Sequence, residues 1–361
     1  MLYLIVFLVS YFLLTIGSKM KGRVANFYLL IGIAPVILIA GLRDSTIGTD
    51  THMYPTDVFE FCLQSKNFLT AVISYLDVET GYVALAYLSS QISSSFNFFL
   101  TLTHAIMIGA MLVAYKKFHI NIPLAFVFFY LIFFAASMNT ARQFLAMPLC
   151  LVSLAVFMQK KYKKAIFCLL IAFLFHKSSL LFVVIWMLYY LCDKHFKMMS
   201  KKKVFLLAPI SVVLLMSFFI EILEMLVNIG LTEEKYMERY GSDEAYGASF
   251  PISLFAINVF NYVMYMFMTK RIQSSSFVIF SKYILLMGML LCFTGLISTF
   301  AVRMNLYFMM TAIVCIVYAL QTCKYRYSWI FVSFYLFYWV MVVVVANLSD
   351  TYPYHSAILG L

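Results

Sequence analysis

Charge is what this sequence has least of. Of 361 residues only 11% are Asp, Glu, Lys or Arg, against roughly a quarter in soluble globular domains. With 64% apolar residues and a mean hydropathy of +0.95, that deficit excludes a water-soluble enzyme. The motifs of several large enzyme classes are missing too. There is no GxxxxGK[ST] loop, no HExxH helix and no GxSxG elbow, so ATP-driven, zinc-peptidase and serine-hydrolase chemistries have no recognisable carrier. The seven cysteines include no CxxC or Cys/His pairing, and Cys150, Cys168, Cys292 and Cys315 lie inside apolar runs. Neither a disulfide framework nor a metal site is expected. No basic region precedes the first apolar run and no small-residue cleavage site follows it, so that run reads as a retained helix and not a signal peptide.

What is present is apolar length. Met1 to Gly17, Ala25 to Leu42, Ile122 to Ser137, Val204 to Ile220, Phe277 to Ile297 and Trp329 to Ala346 reach or approach spanning length. The fold class is an all-α polytopic membrane protein with about 11–13 transmembrane helices plus short re-entrant or interfacial helices, in a single integral membrane domain over 1–361.

The few charges are sorted. Lys19, Lys21 and Arg23, Lys116 and Lys117, Lys160 to Lys164, Lys194 to Lys203, Lys270 and Arg271, and Lys324 and Arg326 crowd short loops, which the positive-inside rule places in the cytoplasm. The acids gather in 43–78 and 230–250, which are then external, periplasmic loops. A walk between basic loops brings Arg142, His176, Lys177, Arg303 and His355 to one outer face. One parity problem stands: 80–92 and 97–115 must make a single net crossing. A re-entrant element within 67–95 is the favoured solution, because Ser89, Ser90, Gln91 and Ser93 to Ser95 make a poor lipid-facing helix.

Ionisable groups at membrane depth are costly and usually functional. Arg43, Asp44, Gly48, Asp50 and Tyr54 form a first polar cluster, where Arg43 grips a phosphate or snorkels to headgroups. Asn139, Arg142 and Gln143 form a second. Arg142 falls in the first turn of a helix, where free N–H groups and the dipole already favour an anion, which points to a phosphate or pyrophosphate. Arg303 opens Met304 to Leu320 in the same way. His176 sits between two apolar runs with Lys177, Ser178 and Ser179 after it, Ser178 being placed to cap the next helix. The loop Thr232 to Ser249, with Tyr236, Tyr240 and Tyr246 among carboxylates, suits a carbohydrate or is a solvated interfacial loop.

Together Leu42-Arg43, Gly48-Thr49-Asp50, Tyr54, Glu79 with Gly81-Tyr82, Met138-Asn139, Arg142-Gln143, Ala146, Phe175-His176-Lys177-Ser178-Ser179-Leu180, Arg303 with Tyr307, and Pro353-Tyr354 resemble the EpsG-like branch of the Wzy-type O-antigen and exopolysaccharide polymerases. The resemblance implies a GT-C-like frame of the lipid-linked-sugar glycosyltransferases. It implies a bacterial inner-membrane enzyme that moves a growing glycan from undecaprenyl pyrophosphate to the non-reducing end of a lipid-linked repeat unit at the periplasmic face. His176 is then the leading general base, with Asp50 and Glu79 as alternatives. Arg142, Arg303 and Arg43 bind pyrophosphate, and Asn139, Gln143, Lys177, Tyr240, Tyr307 and Tyr354 bind substrate. Its partners are the lipid-linked oligosaccharide, membrane lipids and a chain-length regulator, with no nucleic acid, metal or cofactor. The rival readings are a flippase for the same lipid-linked sugar, which should show charges at several depths and internal repeats, and a ligase ending the polymer on another acceptor.

Overall fold

The computed structural model describes residues 1–51, 54–76, 78–194, 249–296 and 302–361, with 210, 225 and 228. Among these, all regular structure is helical. Nine of the described helices are long and apolar enough to cross a membrane, so the chain is an all-α, multi-pass membrane protein. The chain divides into two compact units, Met1–Ser179 with Tyr327–Leu361, and Leu180–Arg326.

The first unit begins with a helical hairpin, α1 (Leu2–Lys19) and α2 (Gly22–Gly41). Three short helices follow: α3 (Tyr54–Gln64), α4 (Phe68–Ser74) and α5 (Thr80–Ile92). Then come the spans α6 (Phe96–Lys117), α7 (Ile122–Asn139) and α8 (Ala141–Met158), and the shorter α9 (Tyr162–Phe175). In the second unit lie α10 (Leu181–Lys194), α11 (Ile252–Thr269), α12 (Ser276–Leu291) and α13 (Asn305–Thr322). The chain returns to the first unit with α14 (Ser328–Trp339), extended by a π turn over Val340–Val345.

Burial separates interior helices from peripheral ones. In α7 and α8 72% of the spanning window is buried, against 22% in α1 and 17% in α14 with its π turn. The phenylalanine-rich α7 is apolar on every side and packs on every side, which is how a fully enclosed helix reads. Asn121 starts it by accepting the Leu124 N–H at 2.9 Å, with Pro123 in the first turn.

The helix lengths bear on the parity problem left by the sequence. At 1.5 Å per residue, the 13-residue α5 is about 20 Å long, too short for a hydrocarbon layer of about 30 Å, whereas the 22-residue α6 crosses it. Among the described residues between 43 and 117, α6 is the one helix long and apolar enough to cross a membrane, and the serine-rich end of α5 leads into its start.

The polar loops at that end of the first unit are stitched together. The Tyr3 hydroxyl donates to the Thr351 carbonyl at 2.6 Å, the Ser356 hydroxyl to Leu42 O at 2.5 Å, and the Asp44 N–H to His355 O at 3.1 Å. Gly48 N–H reaches Asp350 O at 2.8 Å. Asn97, in the first turn of α6, donates to the carbonyls of Gly41 and Arg43 at 3.0 and 2.8 Å. At the opposite end the Lys116 ammonium meets Asn26 at 2.7 Å, where the lysine-rich loops lie.

In the second unit α12 leaves α-helical geometry at Cys292, and a 3-10 turn runs over Cys292–Leu296. The Cys292 N–H turns to the Met289 and Leu290 carbonyls. The Gly288 carbonyl instead accepts from the buried Asn305 amide at 2.8 Å. A side chain from α13 thus satisfies the backbone group released by the break, as a membrane interior requires.

Candidate functional site

The site is built where α5 and α9 touch. A Cβ on Gly81 would lie 2.6 Å from the Leu174 carbonyl oxygen and 2.8 Å from its carbon, so this approach demands glycine. Glu79 lies two residues before Gly81 and His176 two residues after Leu174, and close packing of the backbones therefore sets the two side chains face to face. Glu79 Oε1 and His176 Nδ1 are 2.7 Å apart. The Lys177 N–H, where the chain turns from α9 into a 3-10 turn over Lys177–Leu180, also donates to Oε1 at 3.3 Å. Ser178, expected as a helix cap, lies within that turn.

The other oxygen of Glu79 faces Arg142. Arg142 Nη1 donates to Oε2 at 2.6 Å from the first turn of α8, as the sequence placed it, with Thr140 as the N-cap residue. The Glu79 side chain is 8% exposed, while Arg142 and His176 are 19% and 21% exposed. The carboxylate is therefore the buried floor, and the guanidinium and imidazole are the partly open rim. Burial alone would push the Glu79 carboxyl up. The His176 hydrogen bond and the charges of His176 and Arg142 outweigh it and hold the carboxyl down at about 2, so it stays ionised at any physiological pH.

Beside this triad the elbow between α7 and α8 is clamped by the 43–51 loop. Asn139 Oδ1 accepts from the Thr49 hydroxyl at 2.9 Å and from the Asp50 N–H at 2.7 Å. Gly48, at φ +87°, makes the turn that brings the loop this close.

The remaining sequence candidates are dispersed. Gln143 is 3% exposed in the first turn of α8. Tyr354 donates its hydroxyl to Ile39 O at 3.0 Å and packs edge-on against Tyr3. Burial raises its phenol, with the Ser356 hydrogen bond and Arg43 charge pulling the other way. Arg43, a pyrophosphate candidate, is 1% exposed among loop backbone groups. Burial lowers its guanidinium to about 10 against the opposing influence of the Tyr3, Tyr82 and Tyr354 phenols, which leaves it charged at neutral pH. Arg303 and Tyr307 belong to the second unit. Arg303 is exposed in a helical stretch just before α13, and Tyr307 is fully buried against Phe182. Tyr240, with the 230–248 stretch, lies outside the described residues.

Two contributors are not singled out from the sequence, Asn97 under the 43–51 loop and Asn305 at the α12 break, and Gly81 enters there as part of a motif without its close approach to α9. Their available signal was a small or amide residue within an otherwise apolar run.

Neither curated proteins nor solved structures give a match to the chain, and one family profile does. It covers residues 26–356, and so takes in the loop clamp, the Glu79–His176–Arg142 triad, Arg303 and Tyr354 alike. Matched over nearly its whole length, the chain belongs to the EpsG family and is a polysaccharide-polymerase-like membrane protein.

Proposed function

We propose that this protein is an O-antigen or exopolysaccharide polymerase. It transfers a growing glycan from undecaprenyl pyrophosphate to the non-reducing end of a lipid-linked repeat unit, at the periplasmic face of a bacterial inner membrane. The observation that carries the reading is the Glu79 carboxylate hydrogen-bonded to His176 on one oxygen and ion-paired with Arg142 on the other. A base and an anion-binding cation are thereby fixed a few ångströms apart on one buried acid.

Glycosyl transfer needs both. With Nδ1–H donated to Glu79, His176 presents Nε2 as the free lone pair, and the ionised carboxylate steadies the imidazolium that forms. The acceptor hydroxyl oxygen attacks the anomeric carbon of the donor, and its proton passes to Nε2. The carbon–oxygen bond to the carrier breaks, with its electron pair leaving on the polyprenyl pyrophosphate. Arg142 and the Lys177 ammonium meet the charge that develops there. Among the described residues Lys177 has only its backbone N–H committed to Glu79, so its side chain is available to an anion. Asn139, Gln143 and Asp50 border the same elbow as contacts for the sugar. Arg303, in the second unit, is an anion ligand on residue type and helix start alone.

The test is complementation of a strain lacking the gene, with surface glycan resolved on a gel. The wild-type gene restores a polymer ladder and His176→Ala leaves single capped repeat units. Loss of all surface repeats in the deletion strain would make the protein a flippase. Full-length polymer held on the carrier lipid would make it a ligase.

A further inference from the structure

Arg43 is among the most deeply buried large side chains of the protein, and its hydrogen-bonded acceptors are all uncharged. One terminal nitrogen donates to the Ala40 carbonyl, closing the end of α2. The other donates to the Met138 carbonyl at 2.8 Å and to the Thr51 hydroxyl at 3.3 Å. Thr51 in turn donates to the same Met138 carbonyl at 3.1 Å. Met138 is in the last turn of α7, where helix carbonyls lack partners within the helix, and the loop supplies two donors to it.

The next residue, Asn139, continues the seam with its bonds to Thr49 and Asp50. A Cβ on Gly48 would stand 3.1 Å from the Met138 oxygen, so the loop backbone lies as near as glycine allows. The loop is thus fastened on three sides: to α2 by Arg43 itself, to the α7–α8 elbow by Arg43, Thr51 and Asn139, and to 350–357 by Gly48 and Asp44. A buried guanidinium without a carboxylate partner is a poor route to stability, and an apolar side chain of similar volume would often serve better. What the guanidinium adds is direction: a planar fork that holds two backbone segments at once, which an ammonium cannot reproduce.

We propose that Arg43 is a positioning residue and not a ligand of the carrier. It locks the 43–51 loop onto the Met138 carbonyl and so fixes the elbow from which Arg142 reaches Glu79. The inference rests on the polymerase reading for its consequence, while its structural half stands by itself.

The experiment uses the full-length protein in its own membrane. Ile47, 3% exposed in the loop, is replaced by cysteine, and labelling by a membrane-impermeant maleimide is compared with the same protein lacking that substitution. Ladder formation is followed in parallel for Arg43→Met, Arg43→Lys and Thr51→Val. With Arg43 intact the thiol is protected and the ladder is normal. Both Arg43 variants are expected to label about tenfold faster, the signature of local opening, and to shorten or lose the ladder. Thr51→Val, which keeps the charge and removes the two bonds of the Thr51 hydroxyl, falls between.

Arg43→Lys that keeps the thiol protected and the ladder full overturns the proposal, since charge alone then suffices. A lost ladder with the thiol still protected overturns it in favour of direct contact with the carrier. A normal ladder in an opened loop shows that docking does not serve the site. If Arg43→Met fails to accumulate, Arg43→Lys and Thr51→Val decide alone. Failure of the wild-type gene to restore any ladder would strike the polymerase reading, and the labelling result would still decide whether Arg43 holds the loop.

Discussion

Glu79 and His176 stand 97 residues apart in the chain and 2.7 Å apart in space, with a carboxylate oxygen against the Nδ1 of the imidazole. That contact sets the tautomer of the histidine and leaves the second oxygen of Glu79 to Arg142. Exchange at any of the three therefore acts on the other two.

His176 and Glu79 are predicted to be coupled in activity. In a detergent assay with a lipid-linked repeat, His176→Ala should lower kcat by about 10²- to 10⁴-fold, the ordinary contribution of a general base. Glu79→Gln should lose a comparable factor, and the double variant little more than either single one. Independent, multiplying losses would place the base elsewhere.

Arg142→Ala and Lys177→Ala are expected to raise KM for the pyrophosphate-linked donor and leave KM for the acceptor near its starting value. In cells each gives mostly single repeats, as does Arg303→Ala, with the protein still present in the membrane. Normal ladders in all three would remove the pyrophosphate assignment.

Gly81→Ala forces a methyl onto backbone atoms of α9 at 2.6 and 2.8 Å, where nothing can rotate away. It should cost about 1–3 kcal/mol of stability, as overpacking does. It should also cost activity out of proportion, because α5 and α9 carry Glu79 and His176. Thermal unfolding in detergent and the ladder assay together check this: full activity would mean that the two helices separate without disturbing the pair.

Asn305→Leu removes the amide that donates to the Gly288 carbonyl at the break in α12 and leaves to it the weak Cys292 thiol at 3.6 Å. That loss should cost about 1–3 kcal/mol, visible as a lower melting temperature. Asn305→Asp should be no better, since a carboxylate cannot donate the bond. An unchanged melting temperature in both would show that another group satisfies Gly288.

The Glu79 carboxyl also sets a pH dependence. It is held down at about 2 against an ordinary 4.5, so folding is favoured by the ionised form. That contribution is complete above 4.5 and is lost as pH falls through about 2. Wild-type protein should therefore lose its stability advantage over Glu79→Gln as pH falls through that window. An advantage that did not change through it would place the stabilising charge elsewhere.

The helices and their polarity were legible because apolar runs of spanning length and clustered lysines are local properties. The arrival of Arg142 and His176 at one end followed from counting crossings. The partner they share did not. Glu79 stands in the sequence as a motif carboxylate and an alternative base, but pairing across 63 and 97 residues leaves no trace in one sequence. Arg43 shows the reverse difficulty. A lone arginine after a span reads as a headgroup or phosphate ligand, and its burial comes from residues near 138 and 350 that close over it. Helix lengths add what hydropathy leaves open, since the 13 residues of α5 look apolar enough and are short of a span.

The seam between 39–48 and 350–357 has a consequence for biosynthesis. Tyr3, Leu42 and Asp44 leave the ribosome 313 to 348 residues before their partners at Thr351, Ser356 and Ala357. Until residues 350–357 are made, the 43–51 loop that frames the elbow lacks the bonds that they supply to it.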